Sequence, residues 1–285
     1  MATHQGSDLN FDGSFLKDLP SSIERYTYRG ESQFFDIFKS EFTQLKASTD
    51  ASEFSLFHAS KETIKAIFNP QTDDTISKCC TSFNINEELF LATMMSNPHS
   101  VAIHEMNNAI IEALLPMGLF NCIRGYPRAT VEGESRGKAT DYGWGPKRTP
   151  PGQRISPSVA LEVAFSESDA KLNSDVRFWL NPDDGNAKGC LMLPSEGLCH
   201  LTLSIERSRP EIRIEIWEKK DNRCHRSQVT WITGKGTPTH VTHHPLIIPL
   251  ESLFLRQSTR PEEKDLAIPE QRLQIIAETI WEVQG

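Results

Sequence analysis

The spacing of apolar residues changes several times along this chain, and each change marks an element. In IERYTYRGESQFFDIFKSEFTQLKAS, Phe34, Phe35, Ile37, Phe38, Phe42 and Leu45 fall close to a helical period. KETIKAIF predicts a second, short helix that stops at Asn69-Pro70. PQTDDTISK is polar and opens on proline, so a boundary is expected there, between an N-terminal extension (1–80) and a C-terminal domain (81–285). NINEELFLATMMSNP reads as a short helix or turn feeding a longer helix. In that longer helix Val101, Ile103, Met106, Ile110, Leu114 and Met117 recur roughly three or four apart, and Gly118 supplies a stop.

Beyond Cys122 the pattern shortens. CIRGYPRATVEGES and GKATDYGWG are strand-like, and RTPPGQRIS is a loop. PSVALEVAF is an apolar run of strand length without strict alternation, which predicts a strand covered on both faces. SESDAKLNSDVRFWL predicts a helix with Ser166 or Ser168 as N-cap and Leu172, Val176 and Trp179 or Leu180 as its buried stripe. NPDDGN is a turn. KGCLMLPS, HLTLSIERS and EIRIEIWEK are three further strands, the last two alternating well. HPLIIPLESLFL is a strand or turn, and PEQRLQIIAETIWEV is a closing helix. The order predicts an α/β fold: a mixed β-sheet flanked by helices, with a mainly helical N-terminal extension.

Composition narrows the function classes. Of 285 residues, 38% are hydrophobic and 24% charged, as in an ordinary folded domain. The net charge of −8 argues against a broadly basic nucleic-acid coat. It leaves room for a local basic groove or a metal-dependent nuclease, because a bound cation reverses the local field. Six cysteines occur without a CxxC pair, which suggests reduced thiols rather than a zinc module or a disulfide framework. MATHQGSDLNFDGS lacks the apolar core of a signal peptide, and no run of about 18 apolar residues occurs. The expectation is an intracellular protein, cytoplasmic or nuclear, with no membrane partner.

One acid stands out. Glu162 sits among Val159, Ala160, Leu161, Val163, Ala164 and Phe165, where a carboxylate needs solvent, a cation or strong hydrogen bonds. Asp141 lies 21 residues earlier in the preceding extended piece. If those strands pair, the two acids converge. Two close carboxylates repel unless a proton or a divalent cation joins them. Mg²⁺ suits such a pair, and the chemistry it supports there is hydrolysis of a phosphodiester.

The Asp-to-Glu spacing, with the Glu in an apolar strand before a helix, resembles the PD-(D/E)XK nuclease superfamily. The run LEVAFSESDAKLNSDVRFWL is similar to a restriction-endonuclease-like branch found in fungal proteins. PLESLFLRQSTRPEEKDLAIP and ELFLATMMSNPHSVAIHEMNNAI resemble the same group, so the likeness covers about residues 85 to 283. It implies a restriction-endonuclease-like sheet, Mg²⁺ or Mn²⁺ as cofactor and nucleic acid as partner, with DNA favoured over RNA. Asp141 and Glu162 would be metal ligands, and Glu105 matches a position where some members place an extra acid. The superfamily's lysine, two residues after the Glu, is Ala164 here. In some branches it migrates to the following helix, which makes Lys171 the catalytic candidate and Arg177 the alternative.

Weaker signals fall away. His240, His243 and His244 are numerous enough for zinc but lack a helix period and a nearby carboxylate. No GxSxG nucleophile elbow occurs. GPKRTPPGQR is a basic loop beside Asp141 that could touch a phosphate backbone. Two readings remain: a metal-dependent nuclease, or a catalytically silent member of that fold that acts as a binding module, as Ala164 suggests.

Overall fold

The computed structural model of the protein describes residues 16, 19, 23–48, 51–69, 75–132, 135–151, 156–165, 169–180, 199–220, 223–234 and 238–284. Its first part runs β1 (Glu24–Thr27), α1 (Glu31–Ala47), β2 (Phe54–His58), α2 (Lys61–Ile67), α3 (Thr75–Cys79), β3 (Cys80–Asn84) and β4 (Leu89–Thr93). The middle comprises α4 (Asn97–Leu114), β5 (Ile123–Gly125), β6 (Thr130–Glu132), β7 (Arg136–Ala139), β8 (Tyr142–Pro146), β9 (Val159–Phe165) and α5 (Asp169–Leu180). β10 (Cys199–Glu206), β11 (Glu211–Lys220), β12 (Arg223–Thr233), β13 (His240–Val241), β14 (Leu246–Ile248), α6 (Leu250–Phe254), β15 (Leu266–Ile268) and α7 (Glu270–Gln284) follow.

These strands form two mixed sheets and a short hairpin-like pair, flanked by the helices. The first sheet has the order β1-β2-β4-β3-β7-β6, the second β13-β12-β11-β10-β9-β8-β5, and β14 pairs with β15. The α/β class with mixed sheets is therefore as the residue pattern predicts. The boundary expected at residue 80 falls inside the first sheet, since β2 lies parallel to β1 and antiparallel to β4. Residues before and after that point thus share one ladder. The mainly helical expectation for 1–80 omitted both strands. β1 is only four residues long, and its partner β2 begins 27 residues further on, so no local signal announces either.

NINEELFLATMMSNP is corrected in the same way. Its centre is strand β4, not a helix or turn, because Leu89 and Leu91 face one core while Phe90 and Ala92 face another. The predicted strand KGCLMLPS, the turn NPDDGN and the N-cap serines Ser166 and Ser168 lie outside the described residues.

Among the described residues, three of the four apolar clusters hold the layers, and the fourth packs Val176 and Leu180 of α5 on Trp217 and Cys224. On one side of the first sheet, α1, α2 and α3 bury Phe34, Ile64, Ile67 and Ile76 against Phe57, Phe83 and Phe90. On one side of the second sheet, α4 and α7 bury Met106, Ile110, Ile276 and Ile280 against Leu161, Val163, Leu203 and Ile214. Between the sheets, Phe54, Leu56 and Leu91 meet Ala160, Phe178 and Trp179. Helix α5 provides the crossover that parallel strands β9 and β10 require. Glu162 lies on the inter-sheet face of β9, opposite in direction from Leu161 and Val163.

Candidate functional site

The site is a charged seam between the two sheets. Tyr142 on β8 pairs with Leu161 on β9, so Asp141, one residue before, falls opposite Glu162. Asp141 is further tied to β9, because its Oδ2 accepts a hydrogen bond from the Val163 amide at 2.8 Å. The pairing of these two extended segments, which the spacing of the acids required, is present.

Lys138, from the other sheet, completes the pair. On β7 the side chains alternate: Gly137 turns to the α2 side of its sheet, where a Cβ would come 2.4 Å from the Phe83 ring. Only glycine admits that close approach. Lys138 therefore points into the seam, where its Nζ donates to Glu162 Oε2 at 3.1 Å and lies 3.1 Å from Asp175 Oδ1. The other Glu162 oxygen accepts from Trp179 Nε1 at 2.7 Å.

Helix α5 carries Lys171, Asp175 and Trp179 at intervals of four, which places them on one face. Lys171 Nζ donates to Asp175 Oδ2 and sits 4.6 Å over the Phe54 ring. On the far side of Asp141, His99 Nε2 lies 3.3 Å from Asp141 Oδ2, and His99 Nδ1 lies 2.9 Å from Glu53 Oε2. Glu53 in turn accepts from the Ser96 amide at 2.8 Å, and Ser96 caps α4 by accepting from the His99 amide. Glu53, His99, Lys138, Asp141, Glu162, Lys171 and Asp175 are all buried.

Among the described residues, four carboxylates thus face three cations when His99 is protonated, and the imbalance shows at Glu162. Burial raises its pKa, Lys138 offsets part of that, and the charges of Asp175 and Asp141 raise it further, to about 8. Burial also opposes ionisation of Asp141, but the charge and hydrogen bonding of His99, the Val163 amide and Lys138 outweigh it and hold it at about 2. His99 behaves reciprocally: burial alone would depress it, yet Asp141 and Glu53 raise it well above the ordinary imidazole value.

Not every candidate joins this cluster. Glu105 is held elsewhere, on the α7 side of α4, where its Oε2 accepts from Arg272 at 2.9 Å. The charge of Arg177 acts on the Cys224 thiol of β12. Among the described residues no group of three or more His, Cys, Asp or Glu side chains is arranged to hold a metal. Of the histidine cluster, His244 pairs with Glu270 at 3.3 Å. Among the described residues, Cys79, Cys122, Cys199 and Cys224 are free thiols. Among the described residues no helix is long and apolar enough to cross a membrane.

Lys138, His99 and Glu53 were missed by the residue pattern. Lys138 had a signal: it lies in GKATD, a strand-like piece of small residues leading into Asp141. His99 and Glu53 had none, because they approach through packing between distant segments.

No family model matches the chain, and no curated protein is similar to it in sequence. Among solved structures, it is similar to a protein from Anabaena variabilis ATCC 29413 described as "a putative nuclease belonging to DUF820". The two are 12% identical, with a TM-score of 0.40 over 78% of this chain and 98% of that chain.

Proposed function

We propose that this protein is a metal-dependent phosphodiester hydrolase acting on nucleic acid, with DNA favoured over RNA. The observation that carries this reading is the placement of Asp141 opposite Glu162 on paired strands, with the Lys138 ammonium on the glutamate. The donor set fits a small divalent cation. Mg²⁺ takes one or two carboxylates and keeps several waters, and among the described residues the seam holds one carboxylate more than it has cations. Asp141 and Glu162 would hold Mg²⁺ or Mn²⁺, which supplies an activated water and a clamp for charge developing on phosphorus.

The chain's own residues do the rest. Lys138 takes over the role that Ala164 cannot fill: an ammonium beside Glu162 that orients a water and stabilises negative charge in a low-dielectric setting. Lys171 acts one step removed, as a positioning residue, by holding Asp175 against Lys138. Trp179 fixes the rotamer of Glu162 through its indole N–H. His99 and Glu53 hold Asp141 ionised and oriented.

A second reading is favoured by the closure of the network. Every acid of the seam already has a partner within the chain, as in a silent member of the fold kept for binding. Incubation with plasmid, single-stranded DNA and RNA, in Mg²⁺, Mn²⁺ or EDTA, separates the two. The hydrolase reading expects metal-dependent cleavage that disappears in Glu162→Gln. Cleavage that survives this substitution sinks the site assignment, and no cleavage of any substrate leaves the binding module.

A further inference from the structure

A cavity of about 340 Å³ opens between the C-terminal end of α1, the start of α4 and the C-terminal end of α7. Its volume lies in the range of small-molecule sites. Lys46 and Arg207 line it, and among the described residues that line it none is an Asp or Glu. In a chain of net charge −8 that is a local inversion of sign. Both cations are held by aromatic rings of the same cavity. Lys46 Nζ lies 4.3 Å from the Phe42 centroid, and the Arg207 guanidinium 4.3 Å from that of Phe165. Arg207 also donates to the Ser48 carbonyl at 3.0 Å. Such anchoring reduces the entropy lost when an anion is gripped. Phe42, Leu45, Met95 and Phe165 add apolar surface suited to a flat ring.

We propose that this cavity binds a nucleoside phosphate, with Lys46 and Arg207 on the phosphate and the apolar wall against the base. The cations and the cavity select a phosphate with an apolar body; the choice of a nucleoside rests on the hydrolase reading above. The cavity connects to the seam at one wall: Ser96, which lines it, donates its amide to Glu53, the glutamate that pairs with His99, while Phe165 ends the strand that carries Glu162 but faces its other side. The ligand is therefore either a free mononucleotide or the phosphorylated end of a nucleic-acid strand.

Calorimetric titration of the full chain in EDTA, with adenosine monophosphate and inorganic phosphate, tests the proposal. Adenosine monophosphate is expected to bind more tightly than phosphate. Lys46→Glu and Arg207→Gln should each weaken it about tenfold or more, a loss of about 1.4 kcal/mol. Glu162→Gln should leave it unchanged. Lys46 is an exposed residue in the last turn of α1, so its variant keeps the fold, which circular dichroism checks. A 5′-phosphorylated single strand that competes where its 5′-hydroxyl counterpart does not assigns the cavity to strand ends. Binding of the mononucleotide with no competition from either strand assigns it to free nucleotides. The proposal is overturned if neither mononucleotide nor phosphorylated strand binds, or if Lys46→Glu leaves affinity unaltered. Nucleotide binding without cleavage would fail the hydrolase reading alone, and cleavage without nucleotide binding would fail the cavity alone.

Discussion

The two faces of β9 are equally buried and chemically opposite. Leu161 and Val163 join Leu203, Ile214, Ile276 and Ile280 in a wholly apolar core, where attraction is non-directional and shared among many contacts. Glu162 faces a seam in which each charge depends on one or two partners at set distances. Burial on the first face stabilises by default. On the second it stabilises only when the pairing is complete, because a buried charge without its partner is costly. Tolerance to substitution should therefore differ sharply across a single strand.

The largest effect is expected at Lys138, which serves two acids at once. Lys138→Ala leaves Glu162 and Asp175 without their shared cation, and loss of about 3–5 kcal/mol is expected for breaking a buried pair. Urea denaturation measures it. Adding Glu162→Gln should recover part of that loss, since removing both partners is cheaper than removing one. A double variant as unstable as the sum of its parts would deny the coupling. On the apolar face, Leu203→Ala should cost about 2–5 kcal/mol by leaving a cavity. No compensating second substitution is expected there, so the same denaturation series contrasts the two faces directly.

Glu263 offers a smaller pairing for comparison, near the surface. It accepts from Arg256, Arg260 and Thr259 and is held well below the usual carboxylate range by the Arg256 hydrogen bond, the Thr259 amide and Arg260. Glu263→Gln should cost about 1.5–3 kcal/mol at neutral pH, the worth of charged hydrogen bonds. The difference should shrink as pH falls, because a carboxylate depressed in the native state loses its contribution on protonation.

His200 gives the smallest effect at neutral pH and the most specific one in acid. It lies on the seam side of β10, buried against Trp179, and among the described residues neither ring nitrogen has a hydrogen-bond partner. Burial pushes its pKa down to about 3. Its contribution is therefore present above the unfolded value of about 6.5 and falls as pH drops from there towards 3. His200→Leu should remove that part of the acid sensitivity and change little above pH 7. Parallel wild-type and variant stability curves between pH 3 and 6.5 would contradict a neutral buried imidazole.

Much of the second sheet was legible in the residue pattern. PSVALEVAF is a strand buried on both faces, and DAKLNSDVRFWL is a helix with Leu172, Val176, Trp179 and Leu180 buried. Asp141 and Glu162 do fall opposite one another on paired strands. The first sheet was hidden because its strands are short and pair across long stretches of chain, as β1 and β2 do with each other. The residue pattern points to a lysine on the helix after Glu162, and Lys171 is buried there. The cation that touches Glu162 is Lys138, from a strand of the other sheet.

By itself the sequence determined which segments could be buried, since apolar periodicity is a local property, and which acids were out of place in them. The tertiary structure alone decided which charges meet. Lys138, His99 and Glu53 reach the seam from β7, α4 and the segment before β2, and their placement depends on how two sheets stack. An apolar side chain is satisfied by any apolar neighbour, so its burial can be read along the chain. A buried charge needs one particular partner, and that partner is found only by folding.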